Sequence, residues 1–128
     1  EEVLYLIWCK DNTGVYPIGV GGLCHVDYIN RRAEWSLIMG EQRRKGIGSA
    51  FVNKVMLPLA FEVMNLKSVY VEVFNISGNY VKDFIKKHNW IFSGQVLFTI
   101  LRLGTPDNST FYTMLDTEYM KMKRNQNV

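Results

Sequence analysis

Cysteine, proline and unbroken apolar runs are all scarce in this chain of 128 residues. Its two cysteines, Cys9 and Cys24, fall on adjacent predicted strands. A hairpin turning near Thr13 sets Cys9 opposite roughly Ile18, well away from Cys24. That spacing argues against a disulfide and makes a reducing cytoplasm the expected location. The stretch 47–66 has about membrane length but carries Asn53, Lys54, Pro58 and Glu62. It reads as a core helix, so no membrane partner is expected. Charge of one sign is also in short supply: the net value of +3 is too small to argue for nucleic acid by itself. No internal repeat and no interdomain linker interrupts the chain, and no metal site is expected.

Two phosphate-binding signatures are missing as well. A P-loop needs its lysine after the last glycine, whereas Lys45 precedes Gly46. A dinucleotide fingerprint needs a third glycine near position 51, which Phe51 occupies.

What is present is a hydrophobic content of 48% with 13% aromatics, which suits a folded domain and excludes disorder. Residues 1–128 are read as one domain with a substantial core. The chain opens at Glu1 and enters a strand almost at once, so N-terminal residues are expected to be missing. The most informative stretch is Arg43-Arg44-Lys45-Gly46-Ile47-Gly48-Ser49-Ala50. It follows a strand-like run and opens a long helix. Two glycines let the backbone bend tightly and approach a ligand. A helix N-terminus offers unpaired amide N–H groups and partial positive charge, with three cations beside it. Together these predict an anion site, best suited to phosphate.

The remaining pattern predicts strands at 3–10, 16–29 and 33–39, joined by turns at 11–14 and 30–32. Gly19, Gly21 and Gly22 inside the second strand mark a bulge or a close backbone approach. A helix is predicted from Ile47 to Asn65, with Phe51, Val55, Leu59 and Val63 inward and a kink at Pro58. A strand over 69–74 and a short helix over 80–88 follow, the helix turning Val81, Phe84 and Ile85 inward. Next come a strand within 90–103, a turn over 104–110, a last strand over 111–122 and a frayed tail from Lys121. The strand-helix-strand unit makes a right-handed parallel crossover. The predicted class is α/β (α+β): a mixed, mostly antiparallel sheet with one β-α-β crossover and a splayed central strand pair. Trp8, Trp35 and Trp90 read as packing residues. Lys82, Lys86, Lys87 and the basic tail read as solvated faces.

This order of elements, with Ala33-Glu34 followed by Arg43-x-x-Gly46-x-Gly48, resembles the GNAT superfamily of acetyl-CoA-dependent N-acetyltransferases. The branch that acetylates ribosomal-protein N-termini, polyamines and amino-sugar nucleotides is the most similar. The resemblance covers about 16–119 and includes the join Phe61-Glu62…Asn65-Leu66-Lys67-Ser68-Val69. Family members begin with a strand and two helices that this sequence lacks; those elements help to wall the acceptor site.

The resemblance implies acetyl-CoA as cofactor and a primary amine, of a small molecule or a protein N-terminus, as acceptor. The coenzyme pyrophosphate would lie on the amides of Arg43, Arg44, Lys45, Gly46, Ile47, Gly48 and Ser49. The pantetheine arm would pair with the backbone of Leu37, Ile38 and Met39, and an amide near Ile38 or Met39 would polarise the thioester carbonyl. Asn75 and Asn79 would hydrogen-bond the cofactor. Glu34 would accept the proton of the amine, by way of water; His25 is a second chemically suited group. The alternative for Glu34 is a strand residue paired with Arg31 or Arg32. The phenol that often protonates the leaving thiolate is replaced by Ile85 in the pair Phe84-Ile85, which leaves Tyr80 as the candidate acid. Two rival readings stay open. One is an acyl-CoA-binding module with little catalysis, favoured by Ile85. The other is a basic RNA- or ribosome-associated domain, suggested by the pI near 8.9. Unpaired sheet edges favour a homodimer.

Overall fold

The computed structural model describes residues 2–40, 46–74 and 79–126, with the backbone alone at 79–81 and 102. Six strands and several helices give a mixed, mostly antiparallel α/β fold, the class that the sequence predicts. The chain forms two compact units, Glu1–Val69 and Tyr70–Val128.

The first unit opens with a three-stranded antiparallel meander of β1 (Val3–Asp11), β2 (Gly14–Asp27) and β3 (Arg32–Met39), in that order. Asp11 builds the first turn: its Oδ1 accepts from the Thr13 N–H at 2.8 Å, and its Oδ2 accepts from the Tyr16 hydroxyl at 2.6 Å. Only Asn12 and Thr13 lie between the strands, so Cys9 stands opposite Tyr16 and not Ile18. Both cysteines are free. Asp27 builds the second turn by accepting from the backbone of Ile29 and Asn30 and from the Asn30 side chain. Those bonds to the ionised form hold its carboxyl below the usual range. Leu23, Ala33 and Trp35 are buried beneath the meander, whereas Trp8 is exposed.

The long helix does not wind as the sequence predicts. It begins as the α-helical turn α1 (Ile47–Phe51) and continues through two π-helical segments, Val52–Met56 and Leu59–Val63. In i→i+5 winding the inward stripe advances by about five residues per turn rather than four. Phe51, Met56, Phe61 and Leu66 are therefore buried, with Val52, Leu57 and Ala60 beside them. Val55 and Val63, expected inward, are exposed. Pro58, which lacks an N–H, sits between the two π segments, where the regular ladder is already interrupted. The C-terminus closes on Asn65 in the left-handed conformation, and the Leu66 N–H donates back to the Ala60 carbonyl at 2.9 Å. The Lys67 N–H then donates to the Arg31 carbonyl at 2.6 Å, which ties the helix end to the second turn.

The second unit takes β4 (Ser68–Phe74) from the join and adds α2 (Asn79–Lys87), β5 (Ile91–Arg102), β6 (Thr105–Leu115) and α3 (Asp116–Gln126). Its strand order is β4-β6-β5. Phe84 and Ile85 of α2 are buried with Trp90, Met114 and Tyr119. Two corrections to the sequence reading arise here. Residues 104–110 are not a long turn: Leu103 and Gly104 alone make the hairpin, both with positive φ, and β6 starts at Thr105. The polar residues 107–109 lie inside the strand with partners of their own. Asn108 Oδ1 accepts from the Phe98 N–H, and Ser109 Oγ donates to Glu72. The segment 116–126 is a helix rather than strand and frayed tail. Asp116 and Glu118 sit in its first turn and Lys123 and Arg124 in its last, the charge order that a helix dipole favours.

Gly22 shows how tightly the meander is closed. A Cβ built there would lie 1.9 Å from the Val3 carbonyl oxygen. Gly22→Ala must therefore push β1 away from β2. A loss of at least about 2 kcal/mol is expected, read as a lower urea midpoint; an unchanged midpoint contradicts the packing described.

Candidate active site

The candidate site is built where β2, β3 and α1 meet inside the first unit. A Cβ at Gly21 would lie 2.8 Å from both Leu37 Cδ1 and Phe51 Cε1. The bare backbone thus lets the end of β3 and the start of the helix close over β2. Tyr5 of β1 meets Phe51 edge-on at 6.2 Å between centroids and holds the helix from the other side. β3 pairs with β2 through Leu37↔Gly21, Ile38↔Val20 and Met39↔Gly19. Ile38 is 72% exposed. The Gly40 N–H donates to the Ile18 carbonyl at 2.7 Å and fixes the exit of β3.

Gly46 is the N-cap of α1 and is left-handed, with φ 73° and ψ 9°. Among the described residues, and apart from its chain neighbours and the helix's own backbone, no heavy atom lies within 4 Å of where its Cβ would stand. The Ala50 N–H donates to the Gly46 carbonyl at 3.0 Å and closes the first turn. Ile47, Gly48 and Ser49 supply the first-turn amides, which have no intrahelical acceptor. Gly48 is itself buried, so the helix start fits close against the meander.

On β3, Glu34 lies opposite Cys24 of β2. Its Oε1 is 3.4 Å from Cys24 Sγ and 3.4 Å from His25 Nδ1. The side chain of Glu34 is 18% exposed and that of His25 72%. Neither Arg31 nor Arg32 supplies these contacts, contrary to the plainer reading of Glu34. Consecutive strand residues ordinarily face opposite sides. A bulge changes that. The register slips between Cys24↔Glu34 and Asp27↔Arg32, and His25 takes φ 50°. The bulge re-aims His25 onto the side of Glu34. Sequence reasoning missed Cys24 as a partner of Glu34; the glycines preceding it were the available signal.

The other predicted positions divide as follows. Leu37, Ile38, Met39, Gly46, Ile47, Gly48 and Ser49 all fall at the β3 exit or the α1 start. Arg43, Arg44, Lys45 and Asn75 lie outside the described residues. Asn79 and Tyr80 open α2 in the second unit, their side chains outside the described atoms. Ile85 is buried in the core of that unit.

No protein-family model and no curated protein matches the sequence. Solved structures do. The chain is similar to a mutant spermidine N-acetyltransferase SpeG from Vibrio cholerae, with TM-score 0.82 and 20% identity over 95% of this chain and 70% of that one. The dodecameric form of spermidine N-acetyltransferase from the same organism gives TM-score 0.81 at 20% identity, over 94% and 68% of the two chains. A probable acetyltransferase gives 0.73 at 21% identity, over 80% of this chain and 57% of that one. The fold is that of a GNAT-type acetyltransferase. In such a fold the β3 exit and the Gly46 turn are the elements that the sequence resemblance assigned to the cofactor.

Burial and the Glu34 carboxylate push the Cys24 thiol up to about 11. The folded protein holds this proton more tightly than an unfolded chain, whose thiol has the ordinary value 9.0. Its contribution to stability is complete below that value and is lost as pH rises through about 11. Glu34→Gln removes part of the cause but not the burial. In a Cys9→Ser background the Cys24 thiolate absorbance should titrate at lower pH in Glu34→Gln, still above the ordinary value. An unchanged titration would show that Glu34 does not act on the thiol.

Proposed function

We propose that this protein is an N-acetyltransferase that moves an acetyl group from acetyl-CoA to a primary amine. The observation that carries the reading is the left-handed Gly46 turn that opens α1, crowded by no described residue beyond its chain neighbours. A side-chain-free bend followed by first-turn amides fits a pyrophosphate: the N–H groups point at the anion and the helix dipole favours its charge. The cations Arg43, Arg44 and Lys45 precede the bend in sequence. The backbone groups of Leu37 to Met39, at the end of β3, would pair, strand-like, with an extended amide chain.

Acetyl-CoA brings a thioester, an activated acyl group with a good leaving thiol. The N–H of Ile38 or Met39 would donate to its carbonyl oxygen and stabilise the charge that develops on attack. The amine forms a bond to the carbonyl carbon, the C–S bond breaks, and the amine loses one proton. Glu34 lies four residues before Ile38 on β3, about 13 Å along an extended strand. It therefore takes that proton through water rather than by contact, with His25 beside it as a second acceptor. Ile85 cannot protonate the thiolate, and Tyr80 is the remaining phenol near the start of α2. A thiolate leaves without help more readily than an alkoxide, since a free thiol has a pKa of about 8.5.

The similar Vibrio proteins are described as spermidine N-acetyltransferases, so a polyamine is the first acceptor to test, with a peptide N-terminus second. The buried Ile85 favours the rival reading of an acyl-CoA-binding module with weak turnover. Thiol release from acetyl-CoA in the presence of an amine panel separates the two. Among the described residues, no helix is long and apolar enough to cross a membrane.

Two variants divide binding from chemistry. Gly46→Glu places a side chain and a negative charge in the bend, and calorimetry should detect no coenzyme A binding; undiminished affinity would refute the phosphate site. Glu34→Gln should leave acetyl-CoA affinity intact and lower turnover by about 10²-fold or more. Full activity in that variant would remove Glu34 from the mechanism.

A further inference from the structure

We propose that Cys24, His25 and Glu34 form a binding site for a borderline-soft divalent cation, with zinc as the best match. The three donor atoms all lie within 4.8 Å of one another. Glu34 Oε1 is the shared centre, 3.4 Å from Cys24 Sγ and 3.4 Å from His25 Nδ1. Around a tetrahedral zinc, bonds of about 2.0–2.3 Å place neighbouring donor atoms about 3.4–3.6 Å apart. Two of the three separations already meet that requirement, and only Cys24 and His25 need to close slightly.

The donor set also has the right chemistry. Thiolate and carboxylate carry two negative charges, which balance a divalent ion, and the neutral imidazole completes a facial trio. Sulfur and nitrogen donors select zinc or cobalt over magnesium and calcium, which prefer oxygen alone. On binding, the Cys24 S–H bond is replaced by a sulfur–metal bond and the proton passes to solvent. Cys24 is buried while His25 is mostly exposed, so the ion enters from the His25 side and keeps a water in its fourth position. The β2 bulge is what makes the trio: without the positive φ at His25, adjacent residues of one strand could not both face Glu34. Binding does not depend on the acetyl-transfer reading. One consequence does rest on it: a bound ion would occupy the Glu34 carboxylate and suppress turnover.

Titration of the reduced full chain with cobalt(II) tests the site directly. The expected result is a near-ultraviolet thiolate-to-cobalt band that saturates at one equivalent and is displaced by zinc. Cys9→Ser should keep the band and Cys24→Ser should abolish it. His25→Gln, at an exposed position, should weaken cobalt affinity at least about 100-fold. Absence of the band in the parent chain overturns the proposal. So does its persistence in Cys24→Ser, its loss in Cys9→Ser, or unchanged affinity in His25→Gln.

Discussion

Leu37 of β3 and Phe51 of α1 meet over the bare backbone of Gly21, and the geometry of the candidate site follows from that approach. A methyl group there would have to displace one or both neighbours. With it absent, the exit of β3 is held against β2 while the start of the helix is drawn in, and Tyr5 packs behind Phe51. β3 ends at Met39 and α1 begins at Ile47. Gly46 caps that helix start in a left-handed conformation that few other residues adopt without strain. Sheet packing and the proposed phosphate site are thus consequences of the same backbone constraint.

Two local irregularities carry chemistry. The π-helical winding after Phe51 rotates the apolar stripe so that Met56, Phe61 and Leu66 follow Phe51 into the core. A regular α-helix through the same residues would present Val55 and Val63 instead. The β2 bulge does the equivalent in the sheet. It brings an exposed imidazole and a buried thiol onto one carboxylate, which raises the thiol and leaves the carboxylate half-shielded.

Much of this was legible in the sequence. The meander, the turns at 11–14 and near 30–32, the long helix and the glycine bend all follow from alternation, turn chemistry and apolar spacing. The glycine cluster in β2 announced a close approach, though not its partners Val3, Leu37 and Phe51. What escaped was anything that depends on a change of winding or register. Periodicity assumes a constant repeat, so the π segments put Val55 and Val63 on the wrong face. Strand alternation assumes an unbroken ladder, so it gives no sign that Cys24 and His25 share the side of Glu34. The polar run Pro106 to Ser109 looked like a turn because its side-chain partners are distant in sequence: Glu72 for Ser109, Phe98 for Asn108. Helix α3 was hidden by the aromatic and methionine residues at 119–122, although its acidic start and basic end carried the helical signal.

The central claim is that the Gly46 turn and the Leu37 to Met39 end of β3 bind one ligand, acetyl-CoA. Backbone amide resonances followed by NMR during an acetyl-CoA titration test it most directly. The account predicts the largest shifts at Ile47, Gly48 and Ser49, joined by Ile38 and Met39 at the same ligand concentration. Shifts confined to other parts of the chain, or no saturable change at these amides, would contradict it.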